Sequence, residues 1–291
     1  MDLYFLPIIT AVFALLAVVL TFYVKKKVNA LPDVRPGNYT FGSGKKRIVC
    51  IGDSITQGTR SFNYVQHLST KPHNRDFDFI NAGLGNDLAW NVLQRLDPII
   101  KLQPDFITIL VGSYEIDAFL SKKNEKRYKK SNNLPYTPSP DWFKENLGFI
   151  IQRLQAETTA HLALISPPMV GEDLEEESNH WSAEYSAITK KVADEYGISY
   201  LPLNEREREL LQSLNHISTC SYKKGSRLFR RTAFKRYVLG KSWDDISQKN
   251  GFLLTPDLLH KNSKGGKIIV HLIERFLSRV EDNVEVLETK A

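Results

Sequence analysis

The stretch Ile48-Val-Cys-Ile-Gly-Asp-Ser-Ile-Thr-Gln-Gly58 runs from four apolar residues straight into Gly-Asp-Ser. A short apolar run closed by a glycine turn reads as a buried strand, and open α/β sheets build their sites at the C-terminal ends of such strands. Ser54 falls at that end. On the tripeptide alone an ordinary turn is the competing reading. The far end of the chain changes the balance, because Thr255-Pro-Asp-Leu-Leu-His260 sets an Asp and a His three residues apart. A serine hydroxyl is a weak nucleophile until a base takes its proton. His260 is a candidate base, with Asp257 as the carboxylate that would hold its ring in the right tautomer.

Outward from this stretch, strand-like and helix-like patterns alternate. Apolar runs at Arg47–Gly52, Asp78–Ala82, Phe106–Gly112, His161–Ser166 and Ser199–Pro202 predict five strands. Apolar residues at helical spacing predict helices over Asp87–Leu102, Trp142–Thr158, Ser182–Tyr196 and Gly266–Val280. This β-α-β alternation predicts an α/β fold with a parallel sheet covered on both faces.

Over residues 46–278 the chain resembles the SGNH (GDSL-type) hydrolase family of esterases and lipases. Gly52-Asp53-Ser54 matches the family's first block and Asp257-Leu258-Leu259-His260 its last, with Asn262 and Gly265 as the usual continuation. Asn81-Ala82-Gly83-Leu84-Gly85-Asn86-Asp87 is similar to the second block, and Gly112-Ser113-Tyr114-Glu115 falls on the third, normally Gly-x-Asn-Asp. The resemblance implies a three-layer α/β/α fold with a flavodoxin-like sheet. It also implies a catalytic set of Ser54, Asp257 and His260. Its oxyanion hole would comprise the Ser54 backbone N–H, a backbone N–H from a second-block glycine, and a third-block Asn side chain. Here the glycine comes one residue early, at Gly85, with Asn86 in its expected place. Asn tolerates left-handed backbone better than most residues, so a swapped turn can survive. Tyr114 stands where the Asn amide belongs. Losing one such donor costs about 10²–10³ in rate, so the resemblance implies a weakened enzyme, a substitute donor in Tyr114 or Asn86, or an inactive relative.

The N-terminus adds a second signal. Leu3–Val24 carries no charge and ends at Lys25-Lys26-Lys27. Its 22 residues would span about 33 Å as a helix, enough for a bilayer core. A cleaved signal peptide is the rival, but it calls for a basic start and small residues before the cut. The expected organisation is an anchor over residues 1–27, a Pro- and Gly-bearing linker over 28–45 and a hydrolase domain over 46–291. The lysine triplet places the downstream side in the cytoplasm by the positive-inside rule. Asn38-Tyr39-Thr40, a glycosylation acceptor triplet, points the other way. The side of the membrane stays open.

Composition bounds the rest. The 291 residues, 42% of them hydrophobic, can bury one sizeable core. Two cysteines, Cys50 and Cys220, make no disulfide framework, and no Cys/His spacing suits a metal, so neither metal nor cofactor is expected. The net charge of +6 concentrates in two runs. Lys122–Lys130 holds six basic residues against one acid; Lys223–Lys241 holds eight and no acid, interleaved with Phe229, Phe234 and Tyr237. They read either as solvated faces or as surfaces that rest on anionic headgroups. No nucleic-acid recognition motif accompanies them, and no nucleic-acid partner is expected. His161 and His180 read as structural, and Asp87 as an N-cap or a substrate contact. The expected activity is that of a membrane-anchored serine esterase or lipase whose partner is an ester of a lipid, small molecule or glycan. The alternatives are an inactive SGNH-like domain binding lipid or glycan, and an acyltransferase.

Overall fold

The computed structural model describes residues 5–218, 220–222 and 225–288. Residues 1–4 of the expected anchor, Lys223 and Lys224 of the second basic run, and residues 219 and 289–291 of the expected hydrolase domain lie outside the described residues. Strands β1 (Lys46–Gly52), β2 (Phe77–Gly83), β3 (Phe106–Leu110), β4 (His161–Ile165) and β5 (Ser199–Leu201) form one sheet in the order β2-β1-β3-β4-β5. Every pairing is parallel, and Gly52 at the end of β1 lies between Gly83 of β2 and Leu110 of β3.

Alternation along the strands divides the core in two. Val49 and Ile51 of β1, Ile80 of β2, Ile107 and Ile109 of β3, and Leu162 and Leu164 of β4 pack on one face. Ile48, Cys50, Phe79, Phe106, Ala163 and Ile165 pack on the other. A strand's side chains point to opposite faces in turn, so near-continuous apolar strands are what a sheet buried on both sides requires. Burial also pushes the free Cys50 thiol up to about 12.

The helices follow in chain order: α1 (Phe5–Val28), α2 (Ser54–Gln57), α3 (Tyr64–Ser69), α4 (Ala89–Gln94), α5 (Asp97–Ile100), α6 (Ser113–Leu120) and α7 (Lys122–Ser131). After these come α8 (Pro140–Glu157), α9 (Glu177–Glu195), α10 (Leu203–Ser213), α11 (Gly225–Tyr237), α12 (Trp243–Asn250) and α13 (Ser263–Glu288). Helix α8 covers the first face with Phe143, Leu147, Ile150 and Leu154; α13 covers the second with Ile269, Ile273 and Phe276.

Three expectations change. The single helix foreseen over Asp87–Leu102 is two short ones, α4 and α5. Arg95 leaves helical geometry, and Pro98 sits in the first turn of α5, where its missing N–H costs nothing. Helix α9 starts at Glu177, five residues before the first apolar periodicity. Both basic runs, which the sequence pattern left without an element, contribute helices, α7 and α11.

Helix α1 is long and apolar enough to cross a membrane over Ile9–Val28. Its large side chains, among them Phe13, Leu15, Leu16 and Phe22, are exposed. The residues after it are held to the body that carries the sheet. Thr59 Oγ1 donates to Val28 O (2.6 Å), Gln57 Nε2 to Ala30 O (2.7 Å) and Asn81 N to Val34 O (2.9 Å). Helix α1 also touches α11.

Candidate active site

At the end of β1 the chain turns into a single helical turn that begins with Ser54. Asp53 caps it, its Oδ1 accepting from Ile55 N at 2.8 Å, and Gly58 closes it in left-handed geometry with φ of 81°. The turn sits hard against the neighbouring strand. A Cβ on Gly83 would lie 2.2 Å from Gln57 N, so only glycine admits this approach. Asn81 fixes the same junction by donating to Thr56 O (2.7 Å).

The loop after α12 brings in the second half of the site. Ser54 Oγ lies 3.0 Å from His260 Nε2, and His260 Nδ1 lies 2.8 Å from Asp257 Oδ2. The other carboxylate oxygen, Asp257 Oδ1, accepts from His260 N (2.9 Å) and Leu259 N (3.2 Å). Burial pushes the Asp257 carboxyl up, but the His260 ring and these N–H groups outweigh it and hold the group below the usual carboxylate range. Leu258 bridges Asp257 and His260 with φ of 78°, an unusual conformation for a branched side chain. Its carbonyl is gripped by Gly171 N at 2.7 Å.

Two positioning groups escaped the sequence reading. Glu172, buried after β4, accepts from Leu253 N (2.8 Å), Leu254 N (2.7 Å) and Thr255 N (3.1 Å), and so sets the loop that carries Asp257. Asn132, at the end of α7, donates to Asn86 O (2.6 Å) and holds the second-block turn. Neither has a local pattern that would reveal it.

Of the four expected oxyanion residues, Asn86 is left-handed with φ of 68°. Gly85 lies beside the Ser54 turn, since a Cβ built there would be 3.8 Å from Ser54 Cβ. The backbone N–H groups of Ser54, Gly85 and Asn86 make no hydrogen bond among the described residues. Tyr114, from the first turn of α6, places its hydroxyl 2.8 Å from Ser54 Oγ. Burial, then the Asp53 carboxyl, pushes this phenol up, so it keeps its proton. The phenol, longer than an Asn amide, reaches the Ser54 hydroxyl from the first turn of α6.

Glu115, in place of the family's Asp, turns away and accepts from Ala89 N at 2.5 Å. Burial pushes its carboxyl up to about 8, and that of Asp53 to about 7. Asp87 pairs with Arg95 at 2.6 Å and does not cap α4; the cap bond comes from Asn91 Oδ1 accepting from Leu88 N (3.1 Å). His161, at the opposite end of the sheet, and His180 on α9 are exposed and stand apart from Ser54. No group of His, Cys, Asp and Glu suited to a metal occurs among the described residues.

The catalytic-type groups are covered. Ser54 and Asp257 are 2% exposed and His260 0%. Phe229 of α11 meets the His260 ring edge-on, with centroids 5.6 Å apart, and Tyr237 of the same helix donates to Thr59 O. Helix α11 therefore runs from the His260 ring to Thr59, just past the end of the Ser54 turn.

The model of the GDSL-like lipase/acylhydrolase family matches residues 50–219, more than half of the chain. The chain belongs to this family. It is an ester-hydrolysing serine hydrolase of the SGNH type. The matched stretch holds Ser54 and both middle blocks, and the fold supplies the Asp-His loop beyond it. No curated protein sequence matches the chain significantly.

Solved structures agree on the fold. An acetylxylan esterase from Geobacillus stearothermophilus, Axe2, superposes with a TM-score of 0.55 at 16% identity, covering 81% of this chain and 95% of its own. The acetyl xylan esterase AlAXEase gives 0.55 at 20% identity, with 79% and 98% covered. The α/β hydrolase LAE5 from the metagenome of Lake Arreo, Spain, gives 0.55 at 17% identity, with 80% and 94% covered. Structures of Axe2 catalytic mutants in which a serine, an aspartate or a histidine is replaced by alanine show the same likeness.

Proposed function

We propose that this member of the family is a membrane-anchored esterase that cleaves carboxylic esters through an acyl-enzyme on Ser54. The observation that carries the proposal is the unbroken relay from Ser54 Oγ to His260 Nε2 and from His260 Nδ1 to Asp257, at 3.0 and 2.8 Å. In it, Ser54 O–H donates to His260 Nε2, and His260 Nδ1–H donates to Asp257 Oδ2. As Ser54 Oγ attacks the carbonyl carbon, its proton passes to Nε2, and Asp257 stabilises the imidazolium. The oxyanion accepts from the N–H groups of Ser54 and of Gly85 or Asn86, with Tyr114 O–H as third donor. Collapse expels the alcohol, which takes the proton from Nε2. Water then attacks the acyl-enzyme, giving its proton to the same nitrogen, and collapse returns that proton to Ser54 Oγ as the acid leaves. The catalytic serine, aspartate and histidine named in the Axe2 mutants support assigning these roles to Ser54, Asp257 and His260.

The exposed apolar face of α1 supports an anchor. The Lys25–Lys27 cluster in its last turn supports a cytoplasmic catalytic domain. The Asn38 amide of the glycosylation triplet is occupied, donating to Asp33 O (2.7 Å) while its oxygen accepts from Arg35 N (2.9 Å), which suits the same side.

The test is labelling of the full chain in neutral detergent with a fluorescent alkyl phosphonate, beside Ser54→Ala. Labelling of the parent alone is expected. Folded parent that resists the phosphonate, while a related active esterase takes it, would replace this reading with that of a binding domain.

A further inference from the structure

A cavity of about 800 Å³ opens between α6, α7 and α11, and Phe229, which packs on the His260 ring, forms part of its wall. Its wall carries Arg60, Lys123, Arg127 and Arg230, and three carboxylates, Asp117, Glu176 and Glu177. The balance of charge depends on which of these are already used. Asp117 accepts from Tyr128 Oη (2.6 Å), Tyr222 Oη (2.7 Å) and Asn124 Nδ2 (2.9 Å), with Arg127 at 3.4 Å. Glu176 accepts from Tyr222 N (2.9 Å) and from the Ser221 hydroxyl. Arg60, Lys123 and Arg230 form no ion pair among the described residues, and of the carboxylates only Glu177 is similarly unengaged. The cavity thus presents three uncommitted cations to one uncommitted carboxylate.

This charge reaches toward the chemistry. Tyr128, bound to Asp117 in the cavity wall, packs edge-on against Tyr114 with centroids 5.4 Å apart, and Tyr114 touches Ser54. Arg60 lies close enough to Tyr114 to act on its phenol. Phe229 belongs to both places, lining the cavity and covering His260. A space of this size holds a polar head and part of a chain. Two guanidinium groups and an ammonium without partners suit the oxygens of a phosphate monoester, which Arg engages with paired N–H donors.

We propose that this cavity binds the phosphate of an acylated polyol phosphate whose ester bond lies at Ser54, so that the substrate is an anionic, phosphate-bearing amphiphile. The inference rests on the esterase reading above. The cations select among esters; Ser54 and His260 do the bond-breaking.

The experiment compares kcat/KM of the full chain, in neutral detergent micelles, for a monoacylglycerol and the monoacylglycerol phosphate with the same acyl chain. A preference for the phosphate ester of at least about tenfold is expected, the size of one charge-assisted contact. In Lys123→Gln/Arg230→Gln, both exposed positions, the preference should fall to less than about threefold by the same reckoning. Lys190→Gln, an exposed lysine on α9 paired with Asp194, should keep it. A short-chain, fully soluble pair separates the sources of the phosphate. The same preference there assigns recognition to the cavity, whereas a preference seen only on anionic vesicles assigns it to bilayer attraction and overturns the proposal. Equal kcat/KM for both esters overturns it too. If neither ester is cut, the esterase reading fails, and calorimetry of Ser54→Ala with glycerol phosphate still decides the cavity. Binding that the double variant abolishes supports the site, and no binding overturns it.

Discussion

Tyr114→Phe removes one oxygen from the centre of the site and leaves the ring packed on Tyr128. The hydroxyl at 2.8 Å from Ser54 Oγ acts in two ways, of opposite sign. In the resting enzyme Ser54 gives its proton to His260 and accepts from Tyr114, so the phenol occupies a lone pair that attack requires. Freeing it would raise reactivity by the net worth of one hydrogen bond, about 0.5–1.5 kcal/mol or roughly 2- to 13-fold. As attack proceeds, negative charge builds on the carbonyl oxygen while Oγ loses its appeal as an acceptor. A phenol that follows the charge contributes about 2.7–4 kcal/mol, or 10²–10³ in kcat. This stabilisation outweighs the resting-state restraint if Tyr114 serves as the third oxyanion donor. We therefore expect Tyr114→Phe to lower kcat on a soluble p-nitrophenyl ester by about 10²-fold with KM little changed. An unchanged melting temperature would show that the fold is retained. A kcat within a factor of two of the parent, or above it, would refute the donor role and recast Tyr114 as a restraint on the nucleophile.

Other perturbations follow from the same geometry. Glu172→Ala strips three backbone N–H groups, two of them buried, of their acceptor and should cost about 3 kcal/mol in chemical denaturation, with kcat falling as Asp257 loses its place. Phe229→Ala uncovers His260 and should speed phosphonate labelling of Ser54 several-fold; an unchanged labelling rate would show that α11 does not limit access. Stability should decline as pH rises from about 5 to about 8, because Glu115 and Asp53 hold protons in the folded state that the unfolded chain has released. With more protons bound folded than unfolded, unfolding free energy falls with pH across that window. Glu115→Gln, which cannot ionise, should flatten the melting-temperature profile between pH 5.5 and 8.5 relative to the parent.

How much of this was legible in the sequence follows from how local each cause is. Strands β1 to β4 announce themselves because a strand buried on both faces is apolar at nearly every position, with Asn81 and Thr108 the buried polar exceptions. Asp257 and His260 are legible as a pair because their contact spans three residues and the loop between them closes on itself. Glu172 is not, since its partners lie 81 to 83 residues away and an isolated glutamate after a strand carries no pattern. The same holds for Asp117, whose bond to Tyr222 crosses 105 residues. The break between α4 and α5 falls at Pro98, but apolar periodicity continues on both sides of it and reads as one helix. Tyr114 stood out as a departure from the family block. That its hydroxyl reaches Ser54 is a contact across 60 residues, which no local pattern announces.

The attachment of the chain just after α1 fixes more than orientation. Thr59, which bonds to the last residue of α1, is five residues from Ser54, so the nucleophile can lie no farther than about 18 Å along the chain from that point. With α1 in a bilayer, there is no free tether to let the hydrolase domain sample the surrounding volume. The quantity that sets its rate is then the mole fraction of substrate in the surrounding lipid. Diluting vesicles with buffer should leave turnover unchanged, while diluting the substrate with inert lipid should slow it in proportion. Such an enzyme surveys an area, and its encounters are limited by lateral diffusion in the sheet to which it is fastened.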